Sequence, residues 1–148
     1  MDIRYRMYLV AEHHLSQAQK IIQGTHALVE YQLMYGVYGA GEDYLTWANR
    51  DKTIVCLDGG NWPELLADYN RIKELGIPVA KFEEPDMNGL MTAYAVLATE
   101  FVWDREVHPD LNDDMRPYVG NMPDLVETWF GSLNNLYLRD ILMSKRLA

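Results

Sequence analysis

The sequence predicts an α/β fold in which helices pack on a four-stranded mixed sheet. The chain has 148 residues, 49% of them hydrophobic and 24% charged, a composition typical of one globular domain that buries its own core. Strand-like and helix-like segments follow one another in the order β-α-β-α-β-β, and a short turn joins the last two strands. This order favours a mixed sheet with packed helices, followed by an added C-terminal helix.

The first strand and first helix are predicted near the N-terminus. Residues Tyr5 to Ala11 form a short apolar-rich run suited to a buried strand. Ser16 is expected to cap a helix that extends to about Tyr35. Apolar residues recur with helical spacing, which predicts an amphipathic helix. They are Leu15, Ala18, Ile22, Val29 and Leu33. Its other flank is polar and carries Gln19, Gln23, His26 and Glu30.

The middle of the chain predicts a second strand and a second helix. Residues 36–51 contain glycines and aromatic residues and predict a loop with a short helical turn. Residues 52–58 form the second predicted strand. Asn61 and Glu64 match a variant of the capping box at the start of the next helix, which Gly76 ends. The inward face of this helix is expected to carry Leu65, Tyr69, Ile72 and Leu75.

A hairpin is predicted next. Residues 79–83 form the third predicted strand, and the fourth extends from residue 91 to about residue 102. Between them, residues 84–89 read EPDMNG and predict a turn, because proline fixes one torsion angle and Asn-Gly tolerates positive φ.

The last part of the chain predicts an irregular connection and one helix. Residues 104–122 are polar, contain two prolines, and include an acidic run at 110–114 that we interpret as a solvated loop. Asn121 is expected to cap a helix from Pro123 to about Lys145. The apolar stripe of this helix consists of Val126, Trp129, Phe130, Leu133 and Tyr137. It favours packing of the helix on the sheet, and a homodimer contact is the alternative.

Charge and cysteine content narrow the functional classes. The net charge of -9 disfavours a nucleic-acid partner, because phosphates are usually bound by lysine and arginine. The acidic excess is larger in residues 84–148 than in residues 1–83, so a polyanion site is expected in the N-terminal part.

The single cysteine, Cys56, excludes an intrachain disulfide and lies in an apolar run. Neither a signal peptide nor a membrane span is recognisable, which predicts a cytoplasmic protein.

Two segments together resemble the type-2 peptidyl-tRNA hydrolase family. Residues 8–31, YLVAEHHLSQAQKIIQGTHALVEY, are similar to that family's first strand and helix, including the pattern Gln23-Gly24-Thr25-His26-Ala27. Residues 76–98, GIPVAKFEEPDMNGLMTAYAVLA, are similar to its last hairpin, with Glu84-Pro85-Asp86-Met87 in the turn and Thr92-Ala93 after it. The resemblance covers about residues 5–102 as the core of a single domain, and residues 103–148 form an extension.

The resemblance implies a site between the start of the first helix and the hairpin turn. Members of the family are thought to use a lysine of the helix with an aspartate and a threonine of the turn. Alignment on His26 puts glutamines where the family has paired lysines, with Lys20 adjacent, and it puts Glu84 and Asn88 at the two turn positions. The candidate catalytic residues are therefore Lys20, Glu84 and Asn88. The candidate binding residues are His14, Gln17, Gln19, Gln23, His26, Asp86 and Thr92.

Two functional hypotheses remain open from the sequence. The first is hydrolysis of the ester bond of peptidyl-tRNA, with a carboxylate positioning water and cationic or amide groups facing the oxyanion. The second is a non-catalytic module of the same fold that binds a small molecule in the cleft or a protein partner on the C-terminal helix. No cofactor is predicted, and no metal site is predicted because the histidines lack a third clustered ligand.

Overall fold

The computed structural model describes residues 3–37, 41–110, 118 and 121–148, and its centre is a four-stranded sheet. The strands are β1 (Tyr5–Ala11), β2 (Ile54–Asp58), β3 (Val79–Glu84) and β4 (Leu90–Thr99), in the spatial order β2-β1-β4-β3. β1 and β2 are parallel, whereas β4 is antiparallel to both β1 and β3. The predicted α/β class with a mixed four-stranded sheet is confirmed.

Helices cover both faces of the sheet. They are α1 (Gln17–Tyr31), α2 (Glu42–Thr46), α3 (Trp62–Glu74), α4 (Glu100–Trp103), α5 (Pro123–Phe130) and α6 (Leu133–Met143). π-Helical segments continue α1 over Gln32–Val37 and α2 over Trp47–Asp51, so most of the loop predicted at 36–51 is helical where it is described. Within the described ranges, every helix is too short or too polar to cross a membrane.

The alternation of side chains along β1 divides the core into two layers. Met7 and Leu9 face α1, whereas Tyr8 and Val10 face α3 and α6, and all four are at most 2% exposed. Burying a large apolar side chain stabilises a fold by about 1.5–3 kcal/mol, so both layers contribute strongly to holding the sheet between its helices.

The helix α1 packs through the face opposite to the one its apolar pattern indicates. Its buried residues are Gln23, Gly24, Ala27 and Tyr31. The apolar side chains of Ile22, Val29 and Leu33 are 44%, 47% and 43% exposed. The small face is buried because α1 lies very close to β1: a Cβ atom at Gly24 would be 2.9 Å from Leu9 Cβ. The helix itself is confirmed, but the amphipathic pattern gave the wrong face.

The caps predicted at Ser16 and Asn61 and the predicted hairpin turn are confirmed. Ser16 Oγ accepts a hydrogen bond from Gln19 N–H at 3.1 Å, and Asn61 Oδ1 accepts one from Glu64 N–H at 3.0 Å. Three of the predicted inward residues of α3 are buried, namely Leu65, Tyr69 and Ile72. The hairpin turn is a 3-10 segment followed by Asn88 at φ 57°, a left-handed conformation that asparagine tolerates.

Two strand boundaries differ from the prediction by more than one residue. Lys52 has φ 56° and ends the π-helical segment, so β2 begins at Ile54 rather than at residue 52. The fourth strand ends at Thr99 rather than at residue 102, because the chain turns there into the short helix α4. Glu100 fixes this turn by accepting a hydrogen bond from Arg4 N–H at 3.2 Å.

The single C-terminal helix predicted from Pro123 to Lys145 is two helices. Gly131, with φ 76°, ends α5, and Ser132 Oγ begins α6 by accepting a hydrogen bond from Asn135 N–H at 3.2 Å. The predicted cap at Asn121 is also wrong, because Met122 precedes α5 and makes no side-chain capping bond. α6 packs on the sheet, whereas half-buried Trp129 packs against a small cluster formed by Val126, Phe130 and Leu136.

The acidic run at 110–114 is only partly described, and the side chain of its first residue, Asp110, is 56% exposed and also paired with a cation. Asp110 Oδ1 accepts hydrogen bonds from two guanidinium nitrogens of Arg139, at 2.9 and 2.8 Å. The Arg139 side chain is only 3% exposed, so Asp110 neutralises a buried cation of α6. Residues 111–114 lie outside the described residues.

Candidate functional site

Polar side chains gather at one edge of the sheet, where three strands end. Because β1, β2 and β3 run in the same direction, their carboxyl ends and the start of β4 lie together, and we call this the carboxyl-end edge. Ligands of open α/β sheets are usually bound outside the carboxyl ends of the strands. The polar residues placed here by the strands are Glu12, Asp58, Glu84 and Thr92.

Asp58 is the centre of the first group at this edge. Its Oδ2 lies 2.6 Å from His13 Nδ1 and 3.4 Å from Lys20 Nζ, and we call these three residues the Asp58 cluster. Gly60 N–H donates to Oδ1 at 2.9 Å, so both carboxylate oxygens are bonded. The Lys20 side chain is only 12% exposed, whereas that of His13 is 57% exposed. The imidazole is therefore the accessible member of the cluster.

The surroundings of Asp58 favour its charged form. Partial burial raises the pKa of this carboxyl group. The hydrogen bonds from Gly60 and His13 and the nearby charge of Lys20 lower the pKa by more, so that it lies below its ordinary value. Asp58 is thus an ionised carboxylate that orients His13 and neutralises Lys20.

A second carboxylate–histidine contact follows β1. Glu12 is 7% exposed, and its Oε1 lies 2.5 Å from His14 Nδ1, while its Oε2 accepts a hydrogen bond from His14 N–H at 2.7 Å. The Glu12 backbone N–H donates to Thr92 O at 2.9 Å, which joins the end of β1 to the start of β4. The His14 side chain is 76% exposed, so it extends from this buried carboxylate into solvent.

The third group is a chain of hydrogen bonds from β4 through α1 to the hairpin turn. Thr92 Oγ1 donates to Gln23 Oε1 at 2.7 Å, and Gln23 Nε2 donates to Glu84 Oε2 at 2.9 Å. We call these residues the Gln23 relay. The hydrogen bond from Gln23, followed by that from Asp86 N–H, lowers the pKa of Glu84 below its ordinary value. Glu84 is therefore a stable anion rather than a ready proton acceptor.

A cleft of about 540 Å³ opens beside the Asp58 cluster, and the segment after α6 forms part of its wall. This segment reaches the edge because its backbone pairs with β2, with Asp58 N–H donating to Arg146 O at 2.9 Å. Lys145 is held by an ion pair with Asp68 at 2.6 Å, whereas Arg146 forms no ion pair within the described residues. The cleft is lined by His13, His14, Asp58, Asn61, Glu64, Lys145 and Arg146, among others.

The structure divides the predicted site residues into two neighbouring groups. Lys20 belongs to the Asp58 cluster, and His14 lines the adjoining cleft, whereas Gln23, Glu84 and Thr92 form the relay. Lys20 is thus held by Asp58, and not by the hairpin carboxylates with which the sequence grouped it. Lys20 lies about 100° around α1 from Gln19, the position aligned with a family lysine.

The remaining predicted residues lie at the margin of these groups. Gln17 Nε2 donates to Ala148 O at 3.3 Å, and Gln19 is exposed. His26 stacks on Phe82, with ring centroids 4.6 Å apart. Asp86 and Asn88 are exposed residues of the hairpin turn, and Asn88 serves the turn through its left-handed backbone.

Sequence reasoning did not select Asp58, Glu12 or His13 as site residues. Each stands at or just beyond the carboxyl end of a predicted strand: Asp58 is the last residue of β2, and Glu12 and His13 follow β1. Asp58 is followed by two glycines and by the cap of α3. The position of these residues relative to the strands is the signal that would have found them.

Comparison with known proteins leaves the family resemblance as a prediction. A scan of the chain against models of protein families found no match, and a search of curated proteins found no match either. Within the described residues, no three histidine, cysteine, aspartate or glutamate side chains are grouped so that they could hold a metal ion.

Proposed function

We propose that the protein is a hydrolase of the peptidyl-tRNA hydrolase type, which cleaves the ester between a peptide and the terminal ribose of a tRNA. The observation that carries this proposal is the pair of His13 and Asp58, whose Nδ1 and Oδ2 atoms are 2.6 Å apart beside the cleft. A histidine oriented by a carboxylate is a recurrent means of activating a nucleophile. The resemblance of residues 8–31 and 76–98 to that family supplies the substrate class.

The proposed reaction uses His13 first as a base and then as an acid. With Nδ1–H donated to Asp58, Nε2 of His13 presents a lone pair that accepts a proton from water as the water oxygen attacks the ester carbonyl carbon. The tetrahedral intermediate then collapses, the bond to the ribose oxygen breaks, and the imidazolium returns the proton to that oxygen. The products are a tRNA with a free ribose hydroxyl and a peptide carboxylic acid, which releases its proton to solvent and becomes a carboxylate.

Cationic groups around the cleft support binding of an anionic substrate. Lys20 Nζ is 3.4 Å from Asp58 Oδ2 and provides a positive charge next to the reacting groups. Arg146 lines the cleft without an ion-pair partner among the described residues, and it would bind a phosphate of the tRNA end. The net charge of -9 restricts such binding to this local surface. Binding should therefore weaken as the salt concentration rises.

Hydrolysis of a purified peptidyl-tRNA tests the proposal. We expect wild-type protein to release free peptide, and His13→Gln to reduce kcat by about a hundredfold or more, because it removes the proton acceptor. Lys20→Met should reduce kcat as well, through loss of the local charge. His108→Gln is the matched control: His108 stacks on Phe101 and lies outside the cleft lining, so its activity should equal that of the wild type. Full activity in His13→Gln would overturn the mechanism.

A second candidate is a non-catalytic module that binds a ligand at the same edge. It is favoured by the internal bonding of two predicted catalytic residues, since Lys20 is paired with Asp58 and Glu84 with Gln23. A module of this kind would bind a stable amide analogue of peptidyl-adenosine yet leave peptidyl-tRNA intact at high protein concentration. Release of free peptide that is lost in His13→Gln would exclude it.

A protein-binding form of this module would use α5, where a second copy of the chain would contact Trp129. This side chain is half-buried against Val126 and Phe130, so part of its indole surface remains available. Trp129→Ala should then shift the sedimentation coefficient toward that of a smaller species. An unchanged coefficient with unchanged stability would argue against any role of this helix in association.

A further inference from the structure

A second cavity lies at the opposite edge of the sheet, far from the carboxyl-end edge. It has a volume of about 460 Å³ and opens where β1 begins and β4 ends. Its lining includes four tyrosines, Tyr5, Tyr31, Tyr35 and Tyr44, and we call it the tyrosine pocket. Neither the Asp58 cluster nor the Gln23 relay contributes to this lining, so the pocket has no part in the proposed hydrolysis.

Three of the tyrosine rings in the lining of the pocket contact one another. The Tyr31 ring centroid lies 4.8 Å from that of Tyr35 and 6.0 Å from that of Tyr44, with interplanar angles of 52° and 36°. Tyr31 is 4% exposed and forms the base of the group. Tyr35 is held in place by its hydroxyl, which donates to Val79 O at 3.2 Å. The aromatic wall is therefore largely preformed.

The charge of the tyrosine pocket is negative. Glu42 and Asp43, at the start of α2, both line it, and among the described residues no lysine, arginine or histidine does. Asp43 Oδ1 accepts a hydrogen bond from Tyr5 Oη at 2.9 Å, whereas Glu42 makes no ion pair within the described residues. Burial, together with the Asp43 hydrogen bond, raises the pKa of Tyr5 to about 12, so this hydroxyl stays neutral and continues to donate.

We propose that the tyrosine pocket binds an organic ammonium ion, in which a positively charged nitrogen carries methyl or larger alkyl groups. The faces of tyrosine rings attract such cations, and groups of aromatic rings recognise quaternary ammonium ions in particular. The carboxylates of Glu42 and Asp43 balance the ligand's charge. Ile77, Pro78 and Leu97 offer apolar surface to its alkyl groups. An anion would be repelled by the same carboxylates, and a bare metal ion would find only these two carboxylates among the described lining residues.

Calorimetric titration with choline and with its neutral isostere, in which carbon replaces the nitrogen, tests the proposal. The two probes have nearly the same shape and differ in charge. We expect choline to bind at least about tenfold more tightly than the isostere, a difference of ~1.4 kcal/mol. Equal affinity of the two probes would show a merely apolar pocket and overturn the proposal. Failure of both choline and benzyltrimethylammonium to bind would overturn it as well.

Variants at two lining residues separate the contribution of the rings from that of the charge. Tyr44→Phe keeps an aromatic face and should bind choline nearly as well as the wild type, whereas Tyr44→Leu should weaken binding by about tenfold. Glu42→Gln should weaken it by about threefold. The matched control is Glu127→Gln, which makes the same change of net charge at an exposed site on α5. If Tyr44→Leu binds like the wild type, or if both glutamine variants behave alike, the assignment is wrong.

Discussion

The Gln23 relay should make Thr92→Val a costly substitution although it hardly changes the volume of the side chain. Thr92 is 1% exposed and Gln23 is 5% exposed, and their hydrogen bond of 2.7 Å is buried between α1 and β4. Valine removes the donor and leaves Gln23 Oε1 buried without a partner, which costs about 1–3 kcal/mol. A loss of ~2 kcal/mol corresponds to a decrease in Tm of about 4–8 °C for a chain of this size.

Urea unfolding of matched variants measures this cost. Thr25→Val is the control, because Thr25 is exposed on the same helix and donates only to the Ile21 carbonyl of its own turn. Its free energy of unfolding should change by no more than about 0.5 kcal/mol.

A double-mutant cycle tests whether the cost arises from an unpaired buried group. In Thr92→Val with Gln23→Met, neither side chain retains an unpaired polar atom. The double variant should therefore be more stable than the sum of the single changes predicts, by about 1 kcal/mol. A cost of Thr92→Val no greater than that of Thr25→Val, or additive effects of the two changes at the relay, would contradict an unpaired buried amide as the cause.

Three further predictions concern the acid stability and the packing of the fold. The pKa of Asp58 is lowered in the folded protein, so its contribution to stability is complete above the unfolded value of about 3.9 and is lost as the pH falls through the folded value. Asp58→Asn should therefore be less stable near neutral pH but lose less stability on acidification, as measured by urea unfolding at several pH values. Gly24→Ala should be destabilising by about 1–3 kcal/mol despite the better helix propensity of alanine, because its Cβ would lie 2.9 Å from Leu9 Cβ; a rise in Tm would contradict the packing of α1. Gly131→Ala should lower Tm, because alanine is strained at the φ of 76° and its Cβ would lie 3.0 Å from the Phe101 ring. An unchanged Tm would contradict the break between α5 and α6.

Local signals predicted the elements of the fold well. β1 has the predicted bounds, Asn61 caps α3 through its side chain, and the Asn88-Gly89 pair forms the predicted turn with positive φ. These features depend on hydrogen bonds and torsion preferences within a few residues, which the order of residues alone can determine.

Which side of α1 is buried against the sheet depends on tertiary structure and could not be predicted in the same way. Its apolar residues recur with helical spacing on the exposed side, whereas the buried side carries Gln23 and Gly24. Gln23 is buried because Thr92 and Glu84 satisfy both ends of its amide, and those partners are 69 and 61 residues distant along the chain. A hydrophobic pattern contains no information about a hydrogen-bond partner distant along the chain, or about the close approach of α1 to β1 that Gly24 permits.

The contact between the first helix and the hairpin turn was predicted from the sequence, but the pairing of a histidine with a carboxylate was not. The helix start and the hairpin turn do contact each other through Gln23 and Glu84. The histidine–carboxylate pair was missed, since His13 and Asp58 come together only when β1 and β2 pair in parallel. The family resemblance directed attention to Glu84 and Asn88, and the parallel pairing of β1 with β2 places the accessible imidazole elsewhere along the same edge.

The most direct test of the central claim is to locate the binding site of a stable amide analogue of peptidyl-adenosine by amide chemical-shift perturbation on isotope-labelled protein. The account predicts shifts concentrated at the carboxyl-end edge, in residues 12–14, 20–23 and 58–60. Shifts confined to the tyrosine pocket, or an unchanged spectrum at saturating analogue, would contradict the assignment of the carboxyl-end edge as the functional site.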